Sequence, residues 1–77
     1  MREWYELWDT DAGNMIGAFA TEHEALVDVR ELLKVNGADY ANDLALAKRR
    51  EDGGDPIASG SALVSLAEEN RPERRSA

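Results

Sequence analysis

The chain has 77 residues, 43% of them hydrophobic and 32% charged, with a formal net charge of −7. That length holds one small domain and no second core, and the composition is that of an ordinary globule rather than a disordered chain. The absence of cysteine excludes disulfide staples and thiolate ligands, and the acidic balance makes a nucleic-acid backbone or an anionic membrane a poor partner.

No segment approaches 18 consecutive apolar residues, and the start "MREWYELW" carries Glu3 and Glu6 where an export signal needs an apolar run. The chain is therefore expected to be soluble and cytoplasmic. Its charge is uneven. Residues 1–47 hold ten acids against Arg2, Arg30 and Lys34, a balance of −7, whereas residues 48–77 hold six of each sign.

"EWYELWD" is aromatic-rich and alternates across a pleat, which predicts a strand over 3–9. "NMIGAFA" predicts a second strand over 14–20, and the intervening "TDAG" is turn chemistry, with Gly13 suited to positive φ. "TEHEALVDVRELLKVNG" predicts a helix over 21–36: Thr21 and Glu24 are spaced as a capping box, with the threonine accepting from the Glu24 amide and the carboxylate reaching back. Ala25, Leu26, Val29, Leu32 and Leu33 recur at helical spacing, and Gly37 supplies a left-handed stop. "ADYANDLALAKRR" predicts a strand over 42–50, "EDGGDP" a turn and "PIAS" a short edge strand where Pro56 is tolerable. "SGSALVSLAEEN" predicts a helix over 60–70 with Leu63, Leu66 and Ala67 on one side, and 71–77 is expected to be a disordered tail.

The order is ββαββα, an α+β fold with a mainly antiparallel four-stranded sheet and two helices in one domain over 1–70. A short duplication lies within it: "DAGNMIGA" at 11–18 aligns with "DGGDPIAS" at 52–59, an offset of 41. The first copy resembles the start of a calcium loop, but the twelfth position counted from Asp9 is Ala20 rather than a bidentate glutamate, and the sixth is Asn14 rather than glycine. The second copy has Arg50 at the place of Asp9. A turn is expected there, and no metal.

With Asp11–Gly13 as the loop, cross-strand partners have numbers adding to about 24. One face of the hairpin then carries Tyr5, Leu7, Met15 and Phe19, with Gly17 opposite Leu7. The other carries Trp4, Trp8, Ile16, Ala18 and Ala20 around Glu6. Two helices do not readily cover both faces of four short strands. Tyr5, Leu7 and Phe19 are expected to join Leu44, Leu46 and the first helix in the core, leaving Trp4, Trp8 and Ile16 as an exposed interaction surface. With the faces exchanged the tryptophans become core, and an apolar set still remains outside. A protein partner or a homodimer is the expected consequence.

Catalytic chemistry finds little support. His23 is the only histidine, so a zinc site has no second nitrogen or sulfur ligand and a general base has no evident nucleophile beside it. "DGGD" lacks the lysine and spacing of a phosphate loop. No cofactor and no enzyme activity are expected. An acidic inhibitor of antitoxin type, covering a basic partner with the Glu/Asp-rich half, is the alternative.

"YELWDTDAGNMIGAF", the capped "TEHEAL" helix and "PIASG" together resemble small single-domain proteins of unknown function from actinobacteria and neighbouring groups. That resemblance covers residues 5–65 and implies no activity. "IGAFATEHEALVDVRELLKVNG" is similar to the glycine-aromatic strand, alanine-containing helix and glycine stop of sporulation-related repeat (SPOR) domains, which implies glycan binding. It departs from them in the extra hairpin strand before that unit and in the strand-strand-helix order after it.

Overall fold

A computed structural model describes residues 2–70; the expected tail at 71–77 lies outside the described residues. The elements are β1 (Glu3–Asp9), β2 (Asn14–Phe19), α1 (Glu22–Asn36), a 3-10 helix (Ala38–Asp43), β3 (Leu44–Arg50), β4 (Gly53–Ser59) and α2 (Gly60–Glu69). The four strands form one antiparallel sheet in the order β2-β1-β3-β4. This is the expected ββαββα, α+β arrangement.

Alternation along the strands decides which face the helices cover. Leu7 on β1 and Leu44 and Leu46 on β3 meet Ala25, Leu26 and Val29 of α1 and Leu63 and Ala67 of α2 in a single buried cluster, with Tyr5 and Phe19 packed against it. Both helices therefore lie on the Tyr5–Leu7 side. Gly17, opposite Leu7, leaves space that the Phe19 ring fills: a Cβ on Gly17 would meet the ring at 3.1 Å.

Local chemistry sets the element ends. Thr21 Oγ1 accepts from the Glu24 amide at 3.1 Å, and the hydrogen bonds of the described residues include this half of the capping box but no return bond from the Glu24 carboxylate. Gly37, at φ 94°, donates to the Leu33 carbonyl and ends α1. The chain then makes the 3-10 helix before β3, so the third strand starts at Leu44 rather than at 42. Ala41 and Tyr40 of this short helix pack inward and close the end of the core, and the helix they anchor takes in Asn42 and Asp43, two residues expected in the strand.

Register brings a second difference. Tyr5, Glu6 and Leu7 pair with Phe19, Ala18 and Gly17, but Trp8 pairs with Met15 and Asp9 with Asn14. Ile16 is the extra residue of a β-bulge, which kinks the strand and re-aims side chains. Ile16 consequently packs against the core, and Met15 moves to the tryptophan face. The expectation that Ile16 stands beside Trp4 and Trp8 is corrected here.

The duplication extends through the architecture. β1 and β3 span Glu3–Asp9 and Leu44–Arg50, so their ends are again 41 apart. Every pair in the β1–β3 ladder has numbers adding to 53, from Glu3–Arg50 to Asp9–Leu44. The ladder is thus unchanged when the two strands are exchanged, and a local pseudo-two-fold axis passes between Glu6 and Ala47. The bulged residue of β4 is Ile57, 41 residues after Ile16, but it lies between the partners of Leu46 and Ala47 and so two residues away from the place that the axis gives the Ile16 bulge, between the partners of Lys48 and Arg49.

Candidate functional site

The face of the sheet turned away from the helices carries Trp4, Glu6 and Trp8 in its centre, because alternate residues of β1 share one side. The Trp4 indole donates from Nε1 to Glu6 Oε2 at 2.9 Å, and the Trp8 indole donates from Nε1 to Glu6 Oε1 at 3.0 Å. Two aromatic side chains thus lean inward along the strand and clasp one carboxylate. On the neighbouring strand, Arg49 Nε lies 3.8 Å from Glu6 Oε1. The Glu6 side chain is only 14% exposed, although it stands on an open face.

The indole bond from Trp4 is the largest influence on Glu6 and lowers its pKa below the ordinary value; burial opposes this, while Trp8 and Arg49 add to it. Glu6 is consequently held as the anion, with its charge answered by neutral donors and one distant guanidinium.

The rest of the face is small. On β3, Ala45 and Ala47 stand beside Trp8 and Glu6, and on β4 Pro56 and Gly54 stand beside Ala47 and Arg49. Gly54 has a specific role: a Cβ there would sit 2.7 Å from Arg49 Cδ and 2.9 Å from the Lys48 carbonyl oxygen. Its missing side chain gives Arg49 room to lie across the sheet with Nε turned to Glu6. On the other side Met15, 48% exposed, stands next to Trp8, 37% exposed. Of the charged residues in the sheet, only Glu6 and Arg49 share this face. The remaining ones alternate onto the helix side or its rim, where Lys48 pairs with Glu3 and Arg50 with Asp55.

Trp4 and Trp8 are therefore brought together as expected of them, and Ile16 is not. Sequence reasoning passed over three contributors. Glu6 reads as a lone acid among apolar residues, yet the spacing Trp-x-Glu-x-Trp within a strand already places two indole N–H groups on either side of one carboxylate. The signal for Met15 is the repeated isoleucine at 16 and 57, each at a bulge. Nothing in the sequence pairs Arg49 with Gly54.

The other candidate groups are engaged locally. Asp9 Oδ1 accepts from the amides of Asp11 and Ala12, both at 3.0 Å, and its carbonyl accepts from Gly13, whose φ is 75°. The Asp9 carboxylate thus organises the hairpin loop from within, which is the physical role of the calcium-like stretch. Tyr40 donates to Asp9 Oδ2 at 3.5 Å; burial first, then the Asp9 charge, raises the phenol's pKa. His23 Nδ1 lies 3.0 Å from Asn70 Nδ2, so it links the start of α1 to the end of α2. Among the described residues no group of three or more His, Asp or Glu side chains is placed to hold a metal, and no helix is long and apolar enough to cross a membrane. Comparison with protein-family models, with curated proteins and with solved structures found no match to this chain.

Proposed function

We propose that this chain is a non-enzymatic interaction module that binds another polypeptide through the open face of its sheet, with Trp4 and Trp8 as anchors. One observation carries this reading: on a chain of net charge −7, the uncovered sheet face presents two tryptophans and a methionine, with a single acid paired to a single base. Exposed apolar patches rimmed by polar residues mark interaction sites, and tryptophan supplies a large contact area at small entropic cost. Against an enzymatic role, Glu6, Asp9 and His23 are each held by neighbours in a structural task.

The reading is tested by placing a photo-crosslinking amino acid at position 15, on the open face, and separately at position 35, where Val35 on α1 is 79% exposed. In native cells, covalent adducts of defined mass are expected from position 15 and not from position 35. Absence of adducts from position 15, or equal adducts from both, removes the reading.

A further inference from the structure

We propose that the occupant of the open face is a second copy of this chain, stacked face to face about a dyad parallel to β1 and β3 that passes over the Glu6–Ala47 pair. This rests on the docking role of that face and names its partner.

The internal pseudo-symmetry gives the two central strands, β1 and β3, one backbone ladder but different side-chain sizes. Shifting by 41 turns Trp4 into Ala45 and Glu6 into Ala47. The shared grid is that of β1 and β3, and β4 is displaced by two residues relative to β2. On the open face the β2–β1 half, with Trp4, Trp8 and Met15, is still the ridge, and the β3–β4 half, with Ala45, Ala47, Gly54 and Pro56, is the trough. A dyad along the strands lays the ridge of one copy over the trough of the other. In that arrangement Trp8 covers the partner's Ala45, Glu6 covers the partner's Ala47, and Met15 covers the partner's Ser59. Trp4 meets the partner's Arg49, a pairing of aromatic ring with guanidinium that is favourable once desolvated.

The other in-plane dyad, perpendicular to the strands, sets Glu6 directly on the partner's Glu6 and trough on trough. Like charges and empty space both disfavour it. Because the interface is isologous, it closes as a dimer and does not propagate.

Charge and area agree with this occupant. A face that is neutral overall lets two acidic chains meet while the acidic helices stay in water on the outer sides. Four strands spaced about 4.8 Å apart, six residues long in β2 and seven in the others, at about 3.3 Å per residue make a footprint of roughly 19 by 20–23 Å. Two such faces bury on the order of 1,000 Å², at the low end of specific interfaces, where reversible association is common.

Sedimentation equilibrium over a concentration series tests the proposal, with circular dichroism confirming that each variant is folded. Wild type is expected to pass from monomer to dimer and stop there. Trp8→Glu is expected to weaken association at least tenfold. Ala45→Phe discriminates the geometry: it fills the trough under the partner's Trp8 and is expected to weaken the dimer at least tenfold, even though it makes the face more apolar. A wild type that stays monomeric to millimolar concentration overturns the proposal, as does an Ala45→Phe chain that associates as tightly as wild type or more tightly. A monomer that nevertheless gives crosslinks from position 15 to another protein defeats the second-copy assignment and leaves the docking role standing. A monomer with no crosslinks defeats both.

Discussion

Glu6 stands on an exposed sheet face and yet keeps only a small part of its side chain in water, because Trp4 and Trp8 close over it from both directions. Its folded pKa is depressed, chiefly by the Trp4 bond. The clasp therefore contributes stability that is fully present above the ordinary glutamate pKa of about 4.3 and is lost as pH falls through the lower folded value. A carboxyl-detected NMR titration should place the Glu6 midpoint below that of a free glutamate, and Trp4→Phe should move it upward; an unchanged midpoint in that variant would show that the indole bond is not the cause. At Gly54 the constraint is steric. Gly54→Ala must displace both Arg49 Cδ and the Lys48 carbonyl, and is expected to cost about 1–3 kcal/mol as overpacking does, read from urea unfolding. The residue pattern made the tryptophans legible as a set on one face, since alternation alone puts them together. The clasp was legible in principle from the same spacing, whereas the Arg49–Gly54 relation depends on β4 register, which no local pattern specifies.

At the scale of elements, α1 and the first hairpin follow from chemistry written within a few residues. The threonine cap, the apolar stripe and the Gly37 stop all act locally, so the helix bounds of 22–36 match the expected 21–36 closely. Thr21→Ala removes the bond to the Glu24 amide and should lower stability by about 1 kcal/mol, visible as a shifted denaturation midpoint; no shift would mean that the cap contributes nothing to the fold. In the hairpin, Asp9→Ala deprives the Asp11 and Ala12 amides of their acceptor and is expected to cost about 1–2 kcal/mol. Retention of wild-type stability in that variant would contradict the structural role assigned to Asp9. The bulge at Ile16 escaped the pattern because a one-residue insertion depends on whether the tertiary core has space for the isoleucine. An ideal two-residue alternation cannot register it. The 3-10 helix at 38–43 was missed for a related reason: Tyr40 and Ala41 hold it by packing at the end of the core, a tertiary contact that no local pattern specifies.

For the whole molecule, the two-layer architecture was legible from element order, and the offset of 41 foreshadowed the pseudo-symmetric ladder of β1 and β3. Which face stays open was not decided by composition, because both faces of the hairpin are apolar. The helices decide it: Leu7, Leu44 and Leu46 have α1 and α2 above them, and the tryptophans share their face with Glu6, Met15, Arg49 and small residues, with no helix above them. An association through this neutral face brings together two chains of −7, so added salt should tighten it modestly by screening, whereas an acidic inhibitor bound to a basic partner would weaken steeply. Light scattering at low and high salt separates the two. Both of the chain's tryptophans lie on the open face, so intrinsic emission reports on that surface alone. The most direct measurement is acrylamide quenching of this emission as protein concentration rises. Emission that is readily quenched in dilute solution, and becomes shielded and blue-shifted as the chain is concentrated, is the predicted result. Emission already shielded from acrylamide at the lowest concentration, where the chain is monomeric, would show that a single subunit covers its own tryptophans and would contradict it.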